Sequence, residues 1–275
     1  MASFDITSNP NYLQYMQSTE DWQIARENNS NLRCVDVYIA SLPRELHVVE
    51  TVKTVLENPQ TLTITIVANN YSDELFEELK IQLLNINTIT QVPIMLHRGD
   101  NAKESNEKLK YISEGYGKYI SFIDDDLELA PTHFKKLIEG CEKYNAYVSL
   151  HGVCLHQLPI RSYYRDRDVY RGLGTVIFDM EVDLASNCGS LFKRDFFTKE
   201  ELESIYPNAP VQGMDDILMA TLCRQKGIKR YVLAHHTGYM KHKEIKKSDN
   251  YIFDKYALVQ GADKVQTDYI HTYWK

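Results

Sequence analysis

Tyr119-Ile120-Ser121-Phe122-Ile123 runs directly into Asp124-Asp125-Asp126. A short, nearly unbroken apolar run is the pattern of a strand buried on both faces, as in a parallel sheet covered by helices. Three adjacent carboxylates repel one another and persist only when solvated or sharing a cation. The strand must therefore end where they begin. Open α/β sheets take their ligands in the crevice beyond the carboxyl ends of their strands. Two readings follow: a solvated acidic turn, or a crevice suited to a hard divalent ion that carries a phosphate.

The flanking segments favour a parallel sheet. Cys34 to Ala40 reads as a first buried strand, and apolar residues at Leu46, Val49, Val52, Val55 and Leu56 mark an amphipathic helix. Thr61 to Ala68 alternates β-branched residues as a second strand, and Asn69 to Asp73 forms a turn capping a helix from about Glu74. Val92 to His97 is a third strand, and a helix over about Lys103 to Glu114 leads into the strand before the triplet. Such alternation predicts an α/β fold with right-handed crossovers.

The second half is less regular. A helix is expected over Pro131 to Tyr144, strands over Ala146 to His151 and Leu184 to Phe192, a helix over Asp215 to Gly227 and a strand over Tyr231 to Ala234. Arg161 to Gly174 reads as a loop whose arginines 161, 165, 167 and 171 have two readings: they meet an anionic acceptor such as a lipid diphosphate, or, the blander account, they pair locally with Asp166 and Asp168. Residues 1–32 form a polar lead-in. Residues 241–275 form a basic loop and a final helix beginning near Tyr251.

Composition narrows the partners. A net charge of -7 argues against non-specific binding to nucleic acid. No run approaches the ~20 apolar residues of a membrane span, and the first residues lack a signal-peptide pattern. The five cysteines are widely spaced and form no zinc pairs, so reduced thiols and a cytoplasmic location are expected. Association with the inner face of a membrane would then be peripheral.

Two further features can carry chemistry. Asp215-Asp216 opens a helix, where carboxylates cap and complement the helix dipole, or where one serves as a general base. His235-His236 follows a strand and can supply imidazole to a metal. Neither GxxxxGK[ST] nor GxGxxG occurs, so a nucleotide would be held by metal, strand-end backbone and single side chains.

In this order the motifs resemble a family 2-type glycosyltransferase of the GT-A fold. The resemblance rests on Ile39-Ala40-Ser41-Leu42-Pro43-Arg44, Ile66 to Asp73, Phe122 to Asp126, and Asp215-Asp216. Two spacings carry it. Pro131 lies five residues past Asp126, as in the family's D-x-D segment, and Gly227 lies eleven past Asp216, as after its E-D pair. The resemblance implies a single domain with a mixed, mostly parallel Rossmann-like sheet flanked by helices and a C-terminal helical tail. Residues 33–130 would bind the nucleotide and 131–240 the acceptor; the loop with Lys241, Lys243, Lys246 and Lys247 reads either as a lid over the phosphates or as a solvated basic loop before the last helix.

It further implies Mn2+ or Mg2+ held by Asp126 and Asp124, with His236 or His235 as an additional ligand. Asp216, or its neighbour Asp215, would be the base. Ala40, Ser41, Arg44, Asn69, Lys103, Asp124 and Asp125 would border the nucleotide-sugar, expected to be a UDP-sugar. The acceptor would be a glycan, a lipid-linked sugar or a protein, and the reaction a single displacement with inversion. Asn69-Asn70 and Asp215 depart from the family's usual acidic turn and Glu. A sugar-phosphate nucleotidyltransferase and an inactive glycan-binding relative are the alternatives.

Overall fold

The computed structural model describes residues 33–43, 46–87, 90–210, 214–242, 259 and 261–274. The polar lead-in, Arg44, the start of the final helix at Tyr251 and the lysines after Lys241 lie outside the described residues.

The first half builds β1 (Val35–Ser41), α1 (His47–Leu56), β2 (Thr61–Asn69), α2 (Asp73–Asn87), β3 (Ile94–Gly99), a 3-10 helix (Glu104–Tyr111) and β4 (Tyr119–Phe122). Then come β5 (Leu127–Leu129), α3 (His133–Tyr144), β6 (Tyr147–Ser149), β7 (Gly152–Leu155), β8 (Arg167–Tyr170), β9 (Met180–Glu181), β10 (Leu184–Ala185) and β11 (Ser190–Lys193). The chain continues through α4 (Lys199–Asn208), α5 (Asp215–Gln225), β12 (Arg230–Val232), β13 (Met240–His242) and α6 (Lys264–Tyr273). Among the described residues no helix is long and apolar enough to cross a membrane.

The central sheet has the order β3-β2-β1-β4-β11-β6-β12-β9. Neighbours from β3 to β4 are parallel, β11 runs against both β4 and β6, and β9 runs against β12. The parallel half, β3 to β4, is what the alternation of elements predicted, and the whole is the mixed, mostly parallel α/β sheet that the resemblance implied. Strand β4 is buried on both faces for a visible reason. Tyr119 and Ile123 pack with the residues beneath α1, α2 and α3, while Ile120 and Phe122 pack into a second core with Tyr38, Phe192 and Met219. Each large side chain so buried is worth roughly 1.5–3 kcal/mol, which pins the strand and the carboxylates that follow it.

Three local expectations are corrected. The run from Leu184 to Phe192 is two strands, because Gly189 takes a left-handed φ of 74° and bends the chain between β10 and β11. A Cβ there would stand 3.1 Å from both His133 and Met240, so glycine also meets a steric need. The Arg161–Gly174 segment contains β8, which pairs with β7 in a small sheet beside the main one. The segment after Lys103 winds as a 3-10 helix, and α4 arises where no helix was expected, opened by a capping box between Thr198 and Glu201.

Candidate active site

Strand order reverses next to β1, whose neighbours are β2 on one side and β4 on the other. The crevice beyond such a switch point is where ligands enter open α/β sheets. A cleft of about 960 Å³ occupies it. Its near wall carries Ala40, Ser41, Leu42 and Asn69 from the ends of β1 and β2, and Asp124, Asp125 and Asp126 from the end of β4. Because β11 is antiparallel, its beginning lies at the same edge, which brings Asn187 and Cys188 into the cleft. The far wall carries Asp215, Asp216, Tyr163, Tyr164 and Arg167. The triplet and the Asp pair, ninety residues apart in sequence, thus face one space.

The three members of the triplet are placed differently. Asp125 is buried, and its Oδ2 accepts the Leu42 backbone N–H at 3.0 Å, while its carbonyl accepts the Thr51 hydroxyl at 2.9 Å. It ties the end of β1 and helix α1 to the acidic turn. Asp124 keeps an open face to the cleft. Its enclosed position and repulsion from Asp126, Asp215 and Asp125 outweigh the pull of Lys108 and push its carboxyl up to about 7. Asp126 Oδ2 lies 3.6 Å from His242 Nδ1. That neighbour follows from pairing, since β13 runs against β5 with His242 opposite Leu127.

The expected imidazoles sit elsewhere. His235 is buried, with its ring nitrogens on the carbonyls of Leu233 and Arg171, and the exposed His236 turns its ring to the Thr237 carbonyl. Neither lines the cleft, and His242 takes the place beside Asp126. Lys103 also differs from expectation. Its ammonium donates to the carbonyls of Tyr206, Pro207 and Ala209 at 2.7–3.0 Å, closing the C-terminal end of α4 instead of facing the cleft.

Beneath the cleft lies a further basic residue, Lys108, which sequence reasoning missed. It is 2% exposed, donates to Asp215 Oδ2 at 2.7 Å and lies 4.0 Å from Asp124. Burial disfavours its charge, but the two carboxylates more than compensate and raise its pKa. The only sequence signal was a lysine three residues before Tyr111 on the inner side of an otherwise polar turn.

Asp215 and Asp216 have opposite environments. Asp215 accepts from Lys108, from the Ser105 hydroxyl at 2.8 Å and from the Asn187 amide at 2.7 Å. Burial works against its charge, yet Lys108 and these donors hold its carboxyl below the usual carboxylate range. Asp216 has the Ile217 N–H at 2.8 Å and the Tyr163 hydroxyl at 3.4 Å. Burial and the adjacent Asp215 charge push its carboxyl up to about 6. Such a split, one carboxylate locked as an anion and its neighbour near neutrality, separates structural from proton-transferring roles.

Tyr163 and Tyr164 are themselves held by the chain's last helix. Asp263 Oδ2 accepts the Ser162 hydroxyl at 2.5 Å and the Tyr164 N–H at 3.3 Å, and the Thr267 hydroxyl accepts the Tyr163 N–H at 3.0 Å. Trp274 anchors that helix to α5 through its indole N–H, which donates to Thr221 at 2.7 Å.

Comparison with known proteins places this architecture. No curated protein matches the sequence significantly. Among solved structures, S. aureus TarS 1-349 in complex with UDP-GlcNAc is 12% identical with a TM-score of 0.51, covering 79% of this chain and 61% of that one. The mannosyltransferase PcManGT from Pyrobaculum calidifontis, in complex with GDP-Man and Mn2+, is 14% identical with a TM-score of 0.51, covering 85% and 65%. GalNAc-T7 with UDP, GalNAc and Mn2+ is 12% identical with a TM-score of 0.61, covering 90% and 50%. The chain therefore spans less than two thirds of the length of each, and the likeness shows a shared GT-A fold. The model for "Glycosyl transferase family 2" matches residues 36–200, more than half of the sequence. The chain belongs to glycosyl transferase family 2.

Proposed function

We propose that this protein is a metal-dependent, inverting glycosyltransferase that moves a sugar from a nucleotide-sugar to an acceptor hydroxyl. One observation carries the reading: Asp124 and Asp126 at the end of β4 face, across one cleft of about 960 Å³, the proton-poised Asp216. That volume suits a nucleotide-sugar. Ala40, Ser41 and Asn69 border the nucleoside in this reading, and Arg44 is assigned there from sequence.

The donor set fits a divalent cation. Asp124 and Asp126 offer hard oxygens, and His242 stands beside them with an imidazole nitrogen. Among the described residues no group of three or more acidic, histidine or cysteine side chains is placed to hold a metal ion by itself. Mg2+ and Mn2+ sites of this kind use one or two carboxylates and complete their coordination with substrate phosphates. Crowded carboxylates, one of them with its pKa raised by burial and by its acidic neighbours, are relieved by such an ion. When bound, the cation would neutralise charge developing on the leaving diphosphate.

The chain's own residues supply the rest. Asp216 accepts the proton of the acceptor hydroxyl as that oxygen attacks the anomeric carbon, which passes through an oxocarbenium-like state. Asp215, fixed by Lys108, Ser105 and Asn187, keeps a negative charge beside Asp216 and so raises its proton affinity. Tyr163 orients Asp216 through its hydroxyl.

The test is a panel of UDP- and GDP-sugars with Mn2+, following nucleoside diphosphate release with and without EDTA. EDTA-sensitive release from one donor supports the reading. Release of pyrophosphate from a nucleoside triphosphate and a sugar phosphate would instead identify a nucleotidyltransferase.

A further inference from the structure

The strand β8 projects alternate residues to one face. Arg167, Val169 and, just past its end, Arg171 share that parity, and all three line the cleft. The Arg167 guanidinium stacks over the rings of both Tyr163 and Tyr164, with its central carbon 4.4 Å from each centroid. A stacked guanidinium keeps its edge donors available for an oxyanion. Its Nε is buried and makes no hydrogen bond.

The acids expected to pair with these arginines are engaged elsewhere. Asp166 accepts the backbone N–H groups of Arg161 and Ser162 and lies within ion-pair range of Arg161. Asp168, of opposite parity on β8, meets His156 at 3.3 Å. Among the described residues neither Arg167 nor Arg171 has a carboxylate within ion-pair distance. Asp216 acts on Arg167 only from beyond ion-pair contact, and a partly buried cation with no carboxylate in direct contact is better satisfied by an incoming anion.

The position decides which substrate brings it. Tyr163 donates to Asp216 Oδ2 at 3.4 Å while its ring lies against Arg167, so the guanidinium adjoins the proposed base. An acceptor that presents its hydroxyl to Asp216 lays its neighbouring substituent against Arg167. We propose that Arg167, extended by Arg171, is an acceptor subsite for an oxyanion, so that the acceptor is a sugar or polyol bearing phosphate or a uronic carboxylate. This rests on Asp216 as the base. An anionic acceptor also suits a fully formed charge pair better than the neutral hydroxyl face of a plain glycan, because charge-assisted bidentate bonds to guanidinium are about twice as strong as neutral ones.

The experiment is isothermal titration of the protein, loaded with Mn2+ and with UDP or GDP as the donor panel selects, using glucose 6-phosphate, glucuronate and glucose as probes. The subsite predicts that at least one charged probe binds tenfold or more tightly than glucose. Arg167→Gln, and separately Arg171→Gln at its more exposed position, should remove most of that preference with a smaller effect on glucose. A phosphate-only or carboxylate-only preference identifies the source of the oxyanion. Equal binding of all three probes by the wild-type protein overturns the subsite while leaving nucleotide binding, and thus the transferase reading, standing. An Arg167→Gln loss seen only for the nucleotide assigns the guanidinium to the donor diphosphate and also overturns it. Failure of the wild-type protein to bind either nucleotide removes the reading on which the subsite rests.

Discussion

The Lys108 ammonium and the Asp215 carboxylate stand 2.7 Å apart, with 2% and 11% of their side chains exposed. This pair joins the 3-10 helix to the first turn of α5, and through Asp124 it reaches the end of β4. Three elements distant in sequence are thus fixed by one buried charge cluster at the floor of the cleft.

Removing that cation exposes its function. Lys108→Met leaves Asp215 buried without its counter-ion, and breaking such a pair costs about 3–5 kcal/mol. Urea unfolding should show the loss, and the Ser105 and Asn187 bonds that remain should keep it toward the lower end. Lys108→Arg, which retains the charge, should lose less.

The proton-poised state of Asp216 sets a pH dependence. A base works only when deprotonated, so turnover at saturating donor should rise with pH through a midpoint near 6 and level off above 7. Asp215 raises that midpoint and Arg167 and Lys108 lower it. Asp215→Asn should therefore move the midpoint down, and a pH–rate profile of the variant checks the sign. For stability the sign is the reverse of an ordinary salt-bridged carboxylate. A folded-state pKa above the unfolded value means this group favours the folded state at low pH and withdraws that support as pH rises toward 6.

Asp125 holds the β1 loop through the Leu42 N–H. Asp125→Ala leaves that donor without its acceptor and should cost about 1–3 kcal/mol, while Asp125→Asn retains an acceptor and should cost less. A higher donor KM in the alanine variant, measured by nucleoside diphosphate release, would report the displaced Ser41–Leu42 wall.

His242, beside Asp126, competes with His235 and His236 for the imidazole role. His242→Ala should weaken Mn2+ binding in the presence of nucleotide at least several-fold, and His236→Ala should leave it unchanged. Equilibrium dialysis against Mn2+ separates the two.

The sheet was legible because burial on both faces writes itself as nearly unbroken apolar runs, as at Tyr119–Ile123. The switch-point cleft and the strand-end carboxylates followed from the same pattern. What escaped has a common physical cause: it depends on pairing between segments too short to show a period. β13 is three residues long, and only its register against β5 sets His242 opposite Leu127. β8 hid in a charged stretch because its outward-facing Asp168 interrupts the arginines that share the cleft-facing parity. Lys108 read as surface charge because its partners, Asp124 and Asp215, come from other elements. The helix α6, which holds Tyr163 and Tyr164 in place, acts through side-chain bonds a hundred residues away in sequence.

The most direct test of the account is the Asp216→Asn variant, followed in a single turnover with the donor selected by the panel, Mn2+ and an acceptor. The account predicts nucleotide and Mn2+ affinities close to wild type and a transfer rate lower by roughly 10²–10⁴-fold, the usual worth of a positioned general base. Transfer at the wild-type rate would contradict it.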